Sequence, residues 1–358
     1  MNRILSHALL GSALIVAAAS CSKADKADKD TAADNSKVPA AKKIQEATTE
    51  TKAEPAELSE EEKKAASLEK IKIALAKLET ESKKESARWT DELKAAAKTL
   101  VTTDYKTGTE ALTATLASLH RKPGNAKRDV YRHPAETLEF FGIKPTSKVV
   151  EMGAGRGWYT EILAPVVAKS GQLTIGAPDA AGPADTMSTV YGLRAKAFLG
   201  TSEDLYGKVK VFHSRGETLS LGEPGSADLV FAAREMHGWQ RRDVFATNLK
   251  AIVEVLAPGG VFGVVQHRAK PDAKPEESAL LGYLPEAWVI AQVEAAGLKL
   301  EEKSEINANA KDTKDYEDGV WTLPPSLGLG EQDKAKYEAI GESDRMTLRF
   351  VKPAPASK

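Results

Sequence analysis

Val149-Val150-Glu151-Met152-Gly153-Ala154-Gly155-Arg156-Gly157 is the stretch on which the fold turns. A short β-branched run ends in an acidic residue, and three alternate glycines follow at once. This reads as a buried strand breaking into a turn whose backbone comes close to another group, since glycine tolerates both positive φ and close approach. Trp158-Tyr159-Thr160-Glu161-Ile162-Leu163 resumes a helical pattern. The glycines therefore fall at a strand–loop–helix junction, where the free N–H groups of a helix start face a ligand. A dinucleotide fingerprint needs G-x-G-x-x-G, and the spacing here is G-x-G-x-G. No Gly-Lys-Ser/Thr follows, which disfavours a phosphate-cradling P-loop.

Working outward, Gln172–Gly176, Lys208–Phe212, Ala227–Ala232 and Val261–Val265 read as further strands, the last launched from a Leu256–Gly260 turn. Helical stretches separate several of them, notably Asp243 to Leu256. Strands alternating with helices imply crossovers and a parallel sheet covered on both faces, with ligands at the carboxyl ends of the strands. Residues 298–306 and 346–351 read as an edge hairpin, flanking a polar insertion that runs from Ile306 to about Gly341.

The E-x-G-x-G-x-G form of residues 151–157 resembles the first motif of class I S-adenosylmethionine-dependent methyltransferases. Tyr131–Thr137, Gly157–Pro165, Tyr283–Trp288, Met236–Trp239, His267–Ala269 and Ser343–Arg345 are similar to a narrower group, the exported "predicted methyltransferase" proteins. The resemblance spans roughly residues 120–353. It implies an α/β, Rossmann-like sheet, mostly parallel with an antiparallel edge hairpin, and S-adenosylmethionine as cofactor. By that resemblance Glu151, Gly153, Ala154, Gly155 and Gly157 surround the methionine and ribose part. Glu217 falls near the adenine amino group, and Asp228 opens the fourth strand as the family's motif does. One departure is plain: Gly176-Ala177-Pro178 stands where the family carries a ribose-binding acid, and Asp179 is displaced.

Methyl transfer is an in-line displacement at an activated sulfonium, so the protein mainly aligns two reactants and can supply a base. His237, just past the fourth strand, is the candidate catalytic residue, as base or substrate contact, with His267 past the fifth strand second. Either imidazole could instead simply hydrogen-bond a neighbouring loop. Tyr159 and Trp239 are candidate aromatic walls near the sulfonium, or core residues. Arg132 and His133 close over the site, or His133-Pro134 begins a helix.

Lysine plus arginine number 50 against 51 acids, and no basic stripe with interleaved aromatics occurs, so nucleic acid is not expected as a partner. Six scattered histidines and one cysteine disfavour a metal site and allow no disulfide. Met1-Asn2-Arg3, the apolar run to Ala19 and Ala18-Ala19-Ser20-Cys21 resemble a bacterial lipoprotein signal over residues 1–20. Cys21 would be the acyl anchor, and Ser22 after it points to the outer membrane facing the periplasm. Residues 21–57, poor in large apolar side chains, read as a disordered tether. Residues 58–119 read as a helical region. Ser59 with Glu62 forms a capping box, and Leu68, Ile71, Leu75 and Leu78 lead toward Trp89, Leu93 and Leu100 in one long amphipathic helix, a weak coiled coil able to mediate oligomerisation or a flap on the main domain. Residues 354–358 are a tail.

Two functions follow: an envelope-anchored methyltransferase for a small molecule or envelope component, or a binding module that keeps the fold without the chemistry. The missing acid, and the cytoplasmic origin of the cofactor, favour the second. The glycine loop with Glu151 favours the first.

Overall fold

A computed structural model of the chain describes residues 59–214 and 219–354. Cys21, the signal, the tether, Glu217 and all but the first residue of the tail lie outside them. Seven strands form one sheet: β1 Lys148–Glu151, β2 Gln172–Ala177, β3 Lys210–His213, β4 Ala227–Ala233, β5 Leu256–His267, β6 Lys299–Ser304 and β7 Arg345–Val351. Their order is β3-β2-β1-β4-β5-β7-β6. The first five run parallel, and β7 is antiparallel to both β5 and β6. The order reverses between β1 and β4, which is where a doubly wound sheet opens a ligand crevice.

Alternation along the strands divides the core into two layers. Val149, Leu229, Phe231, Val261 and Val265 point to one face, and Val150, Val230, Ala232, Phe262 and Val264 to the other. Helices Phe245–Val255 and Glu286–Ala295 cover the second face with Leu249, Ile252, Val289 and Val293. The first face is covered by helices Pro134–Phe140 and Thr160–Val167, and by helices of the amino-terminal region.

That region forms α1 Glu60–Arg88, α2 Asp91–Thr102 and α3 Gly108–Ala117. The Ser59–Glu62 capping box is present, with Glu62 N–H donating to Ser59 Oγ at 3.3 Å. The single long helix expected through Leu100 is instead broken at Trp89–Thr90. Thr90 is extended and caps α2 by accepting from Leu93 N–H, with Asp91 and Glu92 in the favourable first turn. Leu93, Leu100 and Leu112 join Leu138, Val149 and Ile162 in one cluster. The boundary read near residue 120 therefore does not separate two cores: Leu58–Lys358 is one compact unit.

Two further details differ from the sequence reading. β3 begins at Lys210, because Val209 N–H turns back to Tyr206 O behind a short helix. The Leu256–Gly260 turn is taken up as a bulge within β5, with the register jumping from Ala227 to Leu229 on β4.

Candidate functional site

β1 is central, and Glu151 at its end pairs with Ile175 on one side and Phe231 on the other. The chain stays pinned beyond it: Met152 N–H donates to Phe231 O at 2.9 Å and Ala154 N–H to Gly176 O at 3.1 Å. A cavity of about 350 Å³ lies over these strand ends. Glu151, Gly153, Ala154, Gly155, Tyr159, His237 and His267 all line it, so the structure brings together most of the residues singled out from the sequence.

The three glycines have separate reasons. Gly155 has φ +56° and open space where a Cβ would stand, so it is the position at which bare backbone faces the cavity. A Cβ at Gly153 would lie 2.4 Å from the Glu235 carboxyl carbon. Gly157 has φ +81° and packs against the Phe198 ring, which a Cβ would strike at 2.6 Å, and it does not line the cavity. Its role is packing at the turn, not ligand contact.

Glu151 is 2% exposed and accepts a hydrogen bond from Thr160 Oγ1 at 2.6 Å. Burial pushes its carboxyl up to about 8, against the lowering effects of Thr160 and Arg234. It is therefore neutral near neutral pH until a cation comes beside it. No acid lines the cavity at the end of β2. A Cβ at Gly176 would meet Met152 O at 2.3 Å, and the exposed Asp179 caps its own turn by accepting from Ala181 N–H.

Two expected site residues lie elsewhere. Asp228 sits at the amino end of β4, opposite the cavity, where its carboxylate accepts from Lys148 N–H at 2.8 Å. Trp239 is buried in the second core layer against Phe245 and does not reach the cavity. Trp321, in the insertion before β7, joins Trp158 and Tyr159 in the cavity's aromatic lining, with its ring 6.0 Å from that of His237.

His237 is held near 4 by burial and is neutral at ordinary pH. The Gln266 amide donates to Gly282 O at 3.1 Å and His267 O at 3.3 Å, and these carbonyls fix its NH₂ toward His237 Nδ1 at 3.4 Å. His237 thus stands at the cavity, uncharged, as the base or substrate contact expected of it. His267, kept uncharged by burial and by the nearby cations, is tied to Ser343 Oγ through Nδ1 at 2.5 Å.

The sequence reading named Arg132 but missed the arginines that surround it. Arg128, Arg132, Arg156 and Arg234 line the cavity with Glu235 and Glu342. Arg128 and Arg132 donate through Nε to Glu342, at 3.0 and 2.8 Å, and the buried Arg345 through Nη1 at 3.0 Å. Burial alone would raise the Glu342 carboxyl, but these cations hold it at about 2. Arg132 also stacks on Trp158, 4.6 Å from its centroid. Arg234 occupies the left-handed region at the end of β4, φ +61°, with its N–H on Val265 O at 2.7 Å. Both readings of His133-Pro134 can now be weighed: His133 is the left-handed N-cap of helix Pro134–Phe140, and Arg132, not His133, lines the site. Tertiary pairing with Glu342, far along the chain, marks Arg128 and Arg132, while Arg156 pairs with Glu81. Among the described residues no group of three or more His, Cys, Asp or Glu side chains is placed to hold a metal ion.

No family model matches the sequence, and no curated protein matches it. The structure is similar to that of a SAM dependent methyltransferase from Aquifex aeolicus, at 17% identity over 64% of this chain and 93% of that one, with a TM-score of 0.42. It is also similar to the [4+2]-cyclase SpnF, at 13% identity over 63% and 81% of the two chains with a TM-score of 0.44. A geranyl diphosphate methyltransferase in complex with SAM matches at 14% identity over 67% and 94%, with a TM-score of 0.41. The strand order and the antiparallel β7 between β5 and β6, rather than these scores, assign the fold: the chain has the class I methyltransferase architecture.

Proposed function

We propose that this protein is an S-adenosylmethionine-dependent methyltransferase. The observation that carries the reading is the buried carboxyl of Glu151 beside the bare backbone of Gly155, under a cavity at the strand-order switch. The donor set fits the cofactor. S-adenosylmethionine brings a transferable methyl on a sulfonium, together with an ammonium and a carboxylate. Burial and the neighbouring Glu235 keep Glu151 protonated, so a ligand cation beside it would favour its ionisation, and Gly155 leaves room for the adenosyl amino acid. Trp158, Tyr159 and Trp321 line the cavity with aromatic surface, and His237 meets the acceptor as base or hydrogen-bond contact. Alignment of donor and acceptor supplies most of the rate.

The absence of an acid at the end of β2 favours a second reading, a ligand-binding module without transfer. The anchor at Cys21, holding the protein at the cell envelope with an envelope or small-molecule acceptor, belongs to the same proposal. Calorimetry on the full chain tests the first reading: S-adenosylhomocysteine should bind below millimolar concentration, and Gly155→Val should abolish that binding. A wild-type chain that takes up neither S-adenosylmethionine nor S-adenosylhomocysteine at millimolar concentration overturns it. Binding of both without methyl loss in the presence of extracts would select the module.

A further inference from the structure

Several buried hydrogen-bond donors gather at the cavity without an acceptor. Arg128, Arg132 and Arg345 converge on a single carboxylate, Glu342. Arg234 stands in the field of the same cluster, and its buried Nη1 has no hydrogen-bond partner. Tyr159, 2% exposed, carries a hydroxyl that also has no partner and lies within electrostatic reach of Arg234, Arg132 and Arg345. Arg345 Nε, behind them, is buried and unbonded as well. Buried donors left without acceptors cost stability, and folded proteins rarely keep several together. What the group lacks is an acceptor carrying negative charge. A carboxylate offers about four lone-pair sites and bonds strongly to guanidinium.

We propose that the Tyr159 hydroxyl and Arg234 Nη1 seat a carboxylate of the methyl acceptor, so that the acceptor is an organic acid. This rests on the methyl-transfer reading and narrows its substrate class. Tyr159 stands in the turn between β1 and helix Thr160–Val167, Arg234 follows the end of β4 with its guanidinium 5.8 Å from the Tyr159 ring centroid, and both share their cavity with His237 and Trp321. The seat lies on the side of the crevice away from β2. A carboxylate there is held as a handle, leaving another atom of the acid to meet the methyl group.

The test is calorimetry with benzoate on the full chain, with and without saturating S-adenosylhomocysteine, for wild type, Tyr159→Phe and Arg234→Met. Benzoate should bind the free and the cofactor-loaded wild type alike. Its Kd should rise about tenfold in Tyr159→Phe, the loss of one hydrogen bond to a charged group, and further in Arg234→Met. In Tyr159→Phe the Kd of S-adenosylhomocysteine should move by less than about twofold. Tyr159→Phe should keep its thermal midpoint, because the hydroxyl it removes has no partner to lose. Benzoate that fails to bind wild type, or that ignores both substitutions, overturns the seat. Benzoate displaced by S-adenosylhomocysteine, with Tyr159→Phe weakening the latter, would place the cofactor's own carboxylate there and overturn the acceptor assignment. Wild type that binds benzoate but not S-adenosylhomocysteine would retain the seat while sinking the methyl-transfer reading.

Discussion

Glu151 has a titration that can be followed from outside. Its folded value, about 8, lies above the ordinary carboxyl value of 4.5. A raised group contributes stability that is complete below its unfolded value and is lost as pH rises through the folded one. The ligand-free protein should therefore weaken as pH climbs from about 5 to about 9. Glu151→Gln should remove that slope, so its thermal midpoint should gain on wild type toward alkaline pH; parallel curves would show that Glu151 is not buried neutral. When a cationic ligand settles beside Glu151, its carboxyl should ionise. Near neutral pH, S-adenosylmethionine should release up to about one proton, seen as a buffer-dependent heat in calorimetry, and Glu151→Gln should not. Heats independent of buffer ionisation would separate Glu151 from the bound cofactor. His237 works in the opposite sense. Held at about 4, below the ordinary 6.5, it contributes stability above 6.5 that is lost as pH falls through 4.

At the scale of elements, the amino-terminal helices differ sharply from one another. α3 presents Ala111 and Leu112, both fully buried, to the sheet-facing core, whereas α1 buries only Ile71 and leaves Leu68, Ile73 and Leu75 exposed. Leu112→Ala should cost about 2–5 kcal/mol in denaturant unfolding, because it opens a cavity in the first core layer. Leu75→Ala should change stability by about 0.5 kcal/mol or less. Equal costs at the two positions would contradict the shared core. The same packing bears on fragments: a chain starting near His120 would expose the partners of Leu93, Leu100 and Leu112, and should aggregate where one starting near Ser59 stays monomeric by size-exclusion chromatography.

At the scale of the whole molecule, anchoring is tested through Cys21. Cys21→Ala should move the protein from the membrane to the soluble fraction in its host envelope, and unchanged retention would remove the lipid anchor from the proposal. Among the described residues no helix is long and apolar enough to cross a membrane. The sheet was legible in the sequence because each strand carries its own signal: β-branched runs, the Asp228-Leu229-Val230-Phe231 stretch, and an edge pattern at 346–351 with period two. The glycine loop was legible because backbone clearance is a local demand, met by residues adjacent in the chain. Asp228 and Trp239 were misplaced because motif order says nothing about which end of a strand, or which side of a helix, faces the ligand.

What the sequence determined by itself is the alternation of strand and helix and the bare turn after Glu151, since periodicity and glycine act over a few residues. Tertiary structure alone decided the cationic seat. Arg128, Arg132, Arg234 and Arg345 lie on segments up to 217 positions apart, as the numbering of Arg128 and Arg345 shows, and of these only Arg132 stood out in the sequence as closing over the site. Only when β7 inserts antiparallel beside β5 does Glu342 arrive to gather three of them, because charges with no local pattern acquire meaning from proximity in a desolvated space.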